Sequence, residues 1–201
     1  VSAKDLPKHL KCDRDFMLRA IEIDANNILF ASQDIKIDRN TVLSAIQNGA
    51  EFQRVAMPFN DDHEILLEAI RAAGFCPEQS PFVHASKRMK ANVLLALEAI
   101  KRDEQVFESI DQSLRFDRNF IIRSMQHNAE VFQYLAKHLK SNEGFIIDLL
   151  ASVHRIDVSF LGHAPSNILA SREVIVSAMH RDPSAYRYAD RSIKYDRTIL
   201  S

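Results

Sequence analysis

Five arginines recur at one place in a repeating pattern. Arg14, Arg39, Arg118, Arg172 and Arg197 each directly follow a short polar residue: Asp13, Asp38, Asp117, Ser171 or Asp196. A guanidinium presents a planar fork of N–H donors that matches carboxylates and phosphates. A row of such forks could grip an acidic or phosphorylated partner, which makes Arg14, Arg39, Arg118 and Arg172 candidate binding residues. The competing use is internal: the stem packs on the preceding repeat while the head pairs with a carboxylate or with helix-end carbonyls. His63, Val93 and Glu143 interrupt the row, which favours the internal use. His84 and His163 are a second recurring pair, readable as pH-sensitive contacts or metal ligands. They lie roughly three repeats apart and cannot share an ion without strong curvature, so packing or capping is the competing reading.

Other chemistry is sparse. Cys76 and His84 could be drawn as nucleophile and base, but no third orienting group accompanies them. Lys87, Arg88, Lys90, Lys101 and Arg102 form the densest basic patch. It lacks the interleaved aromatic row on which bases stack, so a solvated face is the simpler reading. The chain has no glycine-rich phosphate loop, no His-Glu-x-x-His and no Gly-x-Ser-x-Gly. Only four glycines exist to shape an active-site loop. The sequence predicts no cofactor and no metal.

The element that must position these residues is itself repeated. The polar openings fall at 13, 38, 62, 92, 117, 142, 171 and 196, about 25 residues apart except for longer steps after 62 and 142. Openings 13 and 92, 38 and 117, and 92 and 171 are each 79 apart, as a tandem duplication of a three-repeat block would give. Repeats of this period signal stacked supersecondary units. Asp, Asn and Ser are the residues that cap helix N-termini. Apolar residues follow three, four, five, seven and eight places past each cap, as in Phe16, Met17, Leu18, Ala20 and Ile21. At 100° per residue they span roughly 200°, wider than a surface helix needs. Such a helix predicts a neighbour on both sides. The seventh place is usually small (Ala20, Ala45, Ala69, Ala99, Ser124, Ala178), which suits close helix approach.

About eleven places past the cap stand Asp24, Gly49, Asp103, Asn128 and Asp182, with Gly74 one place later. These types end one helix or start another, and Asp182-Pro183 is the clearest start. A second short helix is predicted over 28–35, 52–59, 106–114, 131–139 and 186–193. The extra residues of the two long repeats are placed between the helices, at Gly74–Pro81 and Asp157–Asn167, as connections projecting from one edge.

The predicted fold is all-α: an α-solenoid-like array of about seven two-helix repeats of roughly 25 residues, with 1–201 as a single helical-repeat domain. The chain starts at Val1 and its last repeat breaks off at Ser201, which suggests a piece of a longer protein. Twenty-six basic against 27 acidic residues leave a charge of −1, a poor footprint for a nucleic-acid binder. Cys12 and Cys76 have no Cys-x-x-Cys partner, so free thiols in a reducing, cytosol-like compartment are expected. No apolar run approaches the roughly 20 residues of a membrane span, and no signal-peptide pattern opens the chain.

The Asp-Arg-x-φ-φ-Leu-x-Ala-Ile opening, the Asn48-Gly49 and Asp182-Pro183 turns, and the Phe30-Ala31-Ser32 and Tyr188-Ala189-Asp190 triplets resemble a short two-helix repeat family of unknown function. The full Asp-Arg opening survives at Asp13, Asp38, Asp117 and Asp196. That family occurs in protists and in effector proteins that intracellular bacteria inject into host cells. The resemblance implies a scaffold and brings no catalytic residues. The expectation is a protein-interaction or targeting module whose partner is another protein. The alternatives are an enzyme of unrecognised type with its site in a groove, or a structural spacer.

Overall fold

The computed structural model describes residues 3–73, 80–152 and 157–195. Among the described residues every regular element is helical. Seven longer helices follow the predicted openings: α1 Arg14–Ile23, α2 Arg39–Gln47, α3 His63–Ala72, α4 Val93–Ile100, α5 Arg118–His127, α6 Glu143–Ser152 and α7 Arg172–Arg181. The side chain at each opening accepts an orphan first-turn N–H, as capping requires. Asp13 accepts from Phe16, Asp38 from Thr41, Asp117 from Phe120 and Ser171 from Val174. Asp62, Asn92 and Asn142 accept from Ile65, Leu95 and Phe145. The opening at 196, with Arg197, lies outside the described residues.

The apolar arc is buried at most of its places, while five past the cap Leu18, Leu43, Leu67, Ile122, Ile147 and Val176 are only half-buried. Met17, Val42, Leu66, Ala96, Ile121, Ile146 and Ile175, all four places past a cap, are fully buried. Three and seven places past the cap, Ile65, Ala69, Leu95, Ala99, Val174 and Ala178 are buried too. α1 departs from this: Phe16, on its three-past side, is 36% exposed. Thr41 is the one polar residue at that place, and its hydroxyl is satisfied by donating to Asp38 at 2.7 Å.

The chain forms two compact units, Val1–Asp111 and Gln112–Ser201. In the first, α1 packs on α2, α2 on α3 and α3 on α4. In the second, α6 packs on α7, and the short helices Ala129–Tyr134, Val158–His163 and Pro183–Tyr188 pack in succession.

The single second helix expected in each repeat is in fact two. Residues 28–35 divide into the 3-10 helix Ala25–Phe30 and the one-turn α-helix Gln33–Lys36, joined by extended Ala31 (φ −64°, ψ 163°). Ile110, Leu135 and Ala189 make the same extended break in later repeats. 3-10 geometry rarely runs beyond a few residues. The chain therefore stops, straightens and is capped anew, as where Ser86 accepts the Met89 N–H and Asp190 that of Ser192. Eleven places past the opening, Asp24, Asp103, Asn128 and Asp182 cap the 3-10 helices. Gly49 (φ +93°) instead closes α2: its N–H bonds Ile46 and that of Ala50 bonds the Ala45 carbonyl, the Schellman pairing.

The extra residues also fall elsewhere than expected. Asp157–Asn167 is not a projecting connection: Asp157 caps Val158–His163, and Ser166–Leu169 is the repeat's one-turn helix. The added residues lie before Asp157, at 153–156, outside the described residues. In the other long repeat, 74–79 with Gly74 and Cys76 are likewise outside, and Pro81 opens the 3-10 helix Pro81–His84. The 79-residue period reappears as a contact. Arg102 and Arg181, 79 apart, each donate to a carbonyl near the end of the preceding long helix, Arg71 at 3.4 Å and Ala151 at 3.0 Å.

Backbone rungs tie consecutive repeats. The residue before a one-turn helix donates to the carbonyl that ends the previous one: Ser32 to Lys11, Asp111 to Lys90, Asp190 to Leu169, at 2.8–3.1 Å. The rung is not universal: Pro165 has no N–H for the Lys140 carbonyl, no bond joins the Ala136 N–H to Arg115 among the described residues, and none is made by repeat two. Repeat two reverses the order of its short elements, with the one-turn helix Phe52–Val55 before the 3-10 turn Met57–Phe59. Among the described residues no backbone N–H reaches the Lys36 carbonyl.

Candidate interaction site

Arg14, Arg39 and Arg118 point forward along the chain, to the following repeat and not the preceding one. Arg14 donates to Asp38, the cap of the next long helix, at 2.8 Å. Arg39 grips the next cap, Asp62, through Nε at 2.6 Å and a terminal nitrogen at 3.0 Å, and reaches Glu64 at 2.7 Å. That arrangement raises the pKa of the guanidinium, chiefly through Asp62 and then Glu64. In return Arg39 lowers the Asp62 carboxyl. Asp38 is lowered first by the Thr41 hydroxyl, with smaller help from the Thr41 N–H and Arg14. Where the next cap is neutral Asn142, Arg118 turns instead to Asp148 and lies over the Phe145 ring, 5.6 Å from its centroid. Arg172 engages a partner within the chain.

Glu143, which seemed to interrupt the row, completes it with the opposite polarity. The next cap there is Ser171, and its hydroxyl donates to the Glu143 carboxylate. At three joints the residue after one cap and the next cap are a matched pair: Arg14 with Asp38, Arg39 with Asp62 and Glu143 with Ser171.

His84 and His163 do end equivalent 3-10 helices, Pro81–His84 and Val158–His163. His163 Nε2 lies 3.1 Å from Glu130 of the preceding repeat. His84 is half-buried, and its supposed partner Cys76 is outside the described residues. Among the described residues no three potential metal ligands cluster, and no helix is long and apolar enough to cross a membrane. The basic patch is largely neutralised: Arg88 pairs with Asp61 at 2.9 Å and Lys101 with Glu98 at 2.5 Å. Arg88, then Ser86, holds the Asp61 carboxyl below its usual range.

A feature that sequence reasoning missed lies at the joint between the first two repeats. A groove of about 200 Å³ runs between Ile28, Leu29, Gln33, Lys36 and Ile37 on one side and Arg54, Val55, Met57 and Pro58 on the other. Ile28 and Val55 are its buried floor, while Ile37 and Met57 stand 53% and 42% exposed at its mouth. It opens where the backbone rung is absent. Pro58 has no N–H to offer a neighbouring repeat, and the reordered short elements of repeat two set the one-turn helix Phe52–Val55, not a 3-10 helix, against Ala25–Phe30. Two signals in the sequence could have found it: Pro58 inside the second half of a repeat, and apolar Ile37 directly before the Asp38 cap.

No curated protein and no solved structure matches the chain. Residues 2–36 and 92–140 match the family model described as Domain of unknown function (DUF4116). The first stretch holds α1 with the short helices around it, and the second holds α4 and α5 with theirs. Two stretches of this chain thus carry the signature of an uncharacterised domain family.

Proposed function

We propose that the chain is a protein-interaction module in which interlocked repeats hold a docking groove open at the joint between repeats one and two. The observation that carries this reading is the pair of exposed apolar side chains, Ile37 and Met57, around an apolar floor. Exposed apolar surface gathered around a concavity marks a binding site more often than scattered residues do. The rest of the framework supports the reading, since the clasps and caps spend their charged groups within the chain. The family resemblance extends the proposal to the targeting segment of an effector that engages a host protein.

The test is selection from a displayed library of random linear peptides against the full chain and against its Ile37→Glu/Met57→Glu double variant. Clones that bind the wild type and are lost on the variant are expected. Equal enrichment on both proteins would refute the assignment of the groove.

A further inference from the structure

We propose that this groove receives an acidic linear segment of a partner protein, inserting one aliphatic or aromatic anchor between Ile37 and Met57 with a neighbouring carboxylate on Lys36. The inference rests on the groove being a docking site and adds the chemistry of its occupant. At about 200 Å³ the groove is smaller than the roughly 300–1,000 Å³ of pockets for drug-sized ligands. It fits one large side chain better than a whole small molecule.

Charge selects the flanks of that anchor. The charged residues lining the groove are Lys36 and Arg54, both cationic. Arg54 is only loosely engaged, 3.9 Å from Glu51 and 3.5 Å from Asn26. Lys36 is the more telling. It ends a one-turn helix, and in three other repeats the lysine at that place is tied to the carbonyl seven residues back. Lys11 bonds Lys4, Lys140 bonds Gln133 and Lys194 bonds Arg187, at 2.7–2.9 Å. Lys36, like Lys90, makes no such bond, and no carboxylate pairs with it among the described residues; unlike Lys90 it lines the groove. At this joint, where no backbone rung forms, the groove therefore offers an uncommitted ammonium beside an apolar floor. An extended peptide of negative charge complements both.

The experiment measures fluorescence anisotropy of fluorescein-labelled nine-residue peptides titrated with the full chain. One peptide has a central phenylalanine flanked by aspartates and glutamates. Its two controls replace the flanks by lysines or the phenylalanine by serine. The acidic, phenylalanine-bearing peptide is expected to bind with a dissociation constant on the order of 10–100 µM, and both controls to lose binding. Lys36→Glu should weaken it at least about fivefold, and raising the salt should weaken it further. Lys90→Glu, at the equivalent place outside the groove, should leave it unchanged. Both substitutions lie at half-exposed places, and melting curves of the two variants serve as the check on folding.

If the lysine-flanked peptide binds as well and Ile37→Glu abolishes it, the groove docks peptides but the acidic preference is wrong. Equal loss in Lys90→Glu and Lys36→Glu also overturns the preference, leaving only diffuse attraction. If no anchor-bearing peptide binds up to about 1 mM, both the preference and the docking assignment fall. Dodecanoate binding that Ile37→Glu abolishes, with no peptide binding, would replace the peptide by a small amphiphile.

Discussion

Ala45→Leu tests the stacking of repeats most directly. Ala45 sits seven places past the Asp38 cap on α2, is fully buried, and lies on the helix that packs between α1 and α3. Its own carbonyl accepts the Ala50 N–H that closes the helix, so the local backbone is pinned. No described cavity adjoins it: the groove at the first joint is lined by other residues. A leucine adds three carbons with nowhere to go, and overpacking of this kind costs about 1–3 kcal/mol. For a unit of this size each kcal/mol lowers the melting temperature by about 4 °C, so a drop of about 4–12 °C is expected in calorimetry. Two controls separate packing from helix propensity. Asn40→Leu, two places past the cap and exposed, should shift melting little, and Ala20→Leu on half-buried α1 should cost less than Ala45→Leu. A neutral or stabilising Ala45→Leu would mean that α2 does not pack closely at this place. The stacked-repeat reasoning would then fail.

Three further outcomes follow from the same geometry. Gly49→Ala should destabilise by about 1 kcal/mol or more in urea titration, because φ +93° disfavours any L side chain; the open space around its Cβ excludes a clash as the cause. Asp103 is buried with one carboxylate oxygen unpaired, and burial raises its pKa. Its ionised form is thus disfavoured by folding, and stability present at low pH is lost as pH rises above its ordinary value of about 4. Asp103→Asn keeps the cap on Gln105 and should raise the melting temperature at pH 7 while having little effect near pH 3. Asp38, Asp61 and Asp62 run oppositely: their pKa values are lowered, so the stability they lend is present above about pH 4 and is lost as pH falls through their folded values. Finally, Ser171→Asp should destabilise by setting a second carboxylate against Glu143. Adding Glu143→Arg should restore stability by recreating the Arg39–Asp62 arrangement, with a coupling of about 0.5–1 kcal/mol in a double-mutant cycle.

The long helices were legible in the sequence because two independent signals agreed there. A polar residue that must accept first-turn N–H groups stood a fixed distance before an apolar arc that must be buried on both sides. Both depend on local geometry, so Asp13, Asp117 and Met17 could be placed from spacing alone. The short elements were not legible in the same way. Residues 25–36 show one run of apolar spacing, and nothing in that spacing distinguishes a continuous helix from a 3-10 turn, an extended alanine and a one-turn helix. The direction of the arginine forks was hidden for a related reason. Spacing shows that Arg39 flanks the apolar arc, but whether it reaches backward or forward depends on how repeats stack. The matching of Arg39 with Asp62, and of Glu143 with Ser171, was written in the sequence as pairs roughly one repeat apart. It becomes readable only once the forward direction is known.

The groove was missed for the opposite reason: it is a departure from the repeat, signalled in the sequence by Pro58 and not by any recurring spacing. Every device that joins successive repeats consumes polar groups. Backbone rungs take carbonyls, Arg14, Arg39 and Glu143 pair with the next cap, and within three repeats the lysine ending the one-turn helix takes the carbonyl seven residues back. At the first joint the clasp of Arg14 on Asp38 persists while the rung and the lysine bond do not. The long helices stay packed, α1 on α2, and Phe52–Val55 still touches Ala25–Phe30, so the joint is open only at the groove beside them. A joint held on one side and opened on the other leaves Ile37, Met57 and Lys36 for use, without the loss of stability that a break through the core would bring.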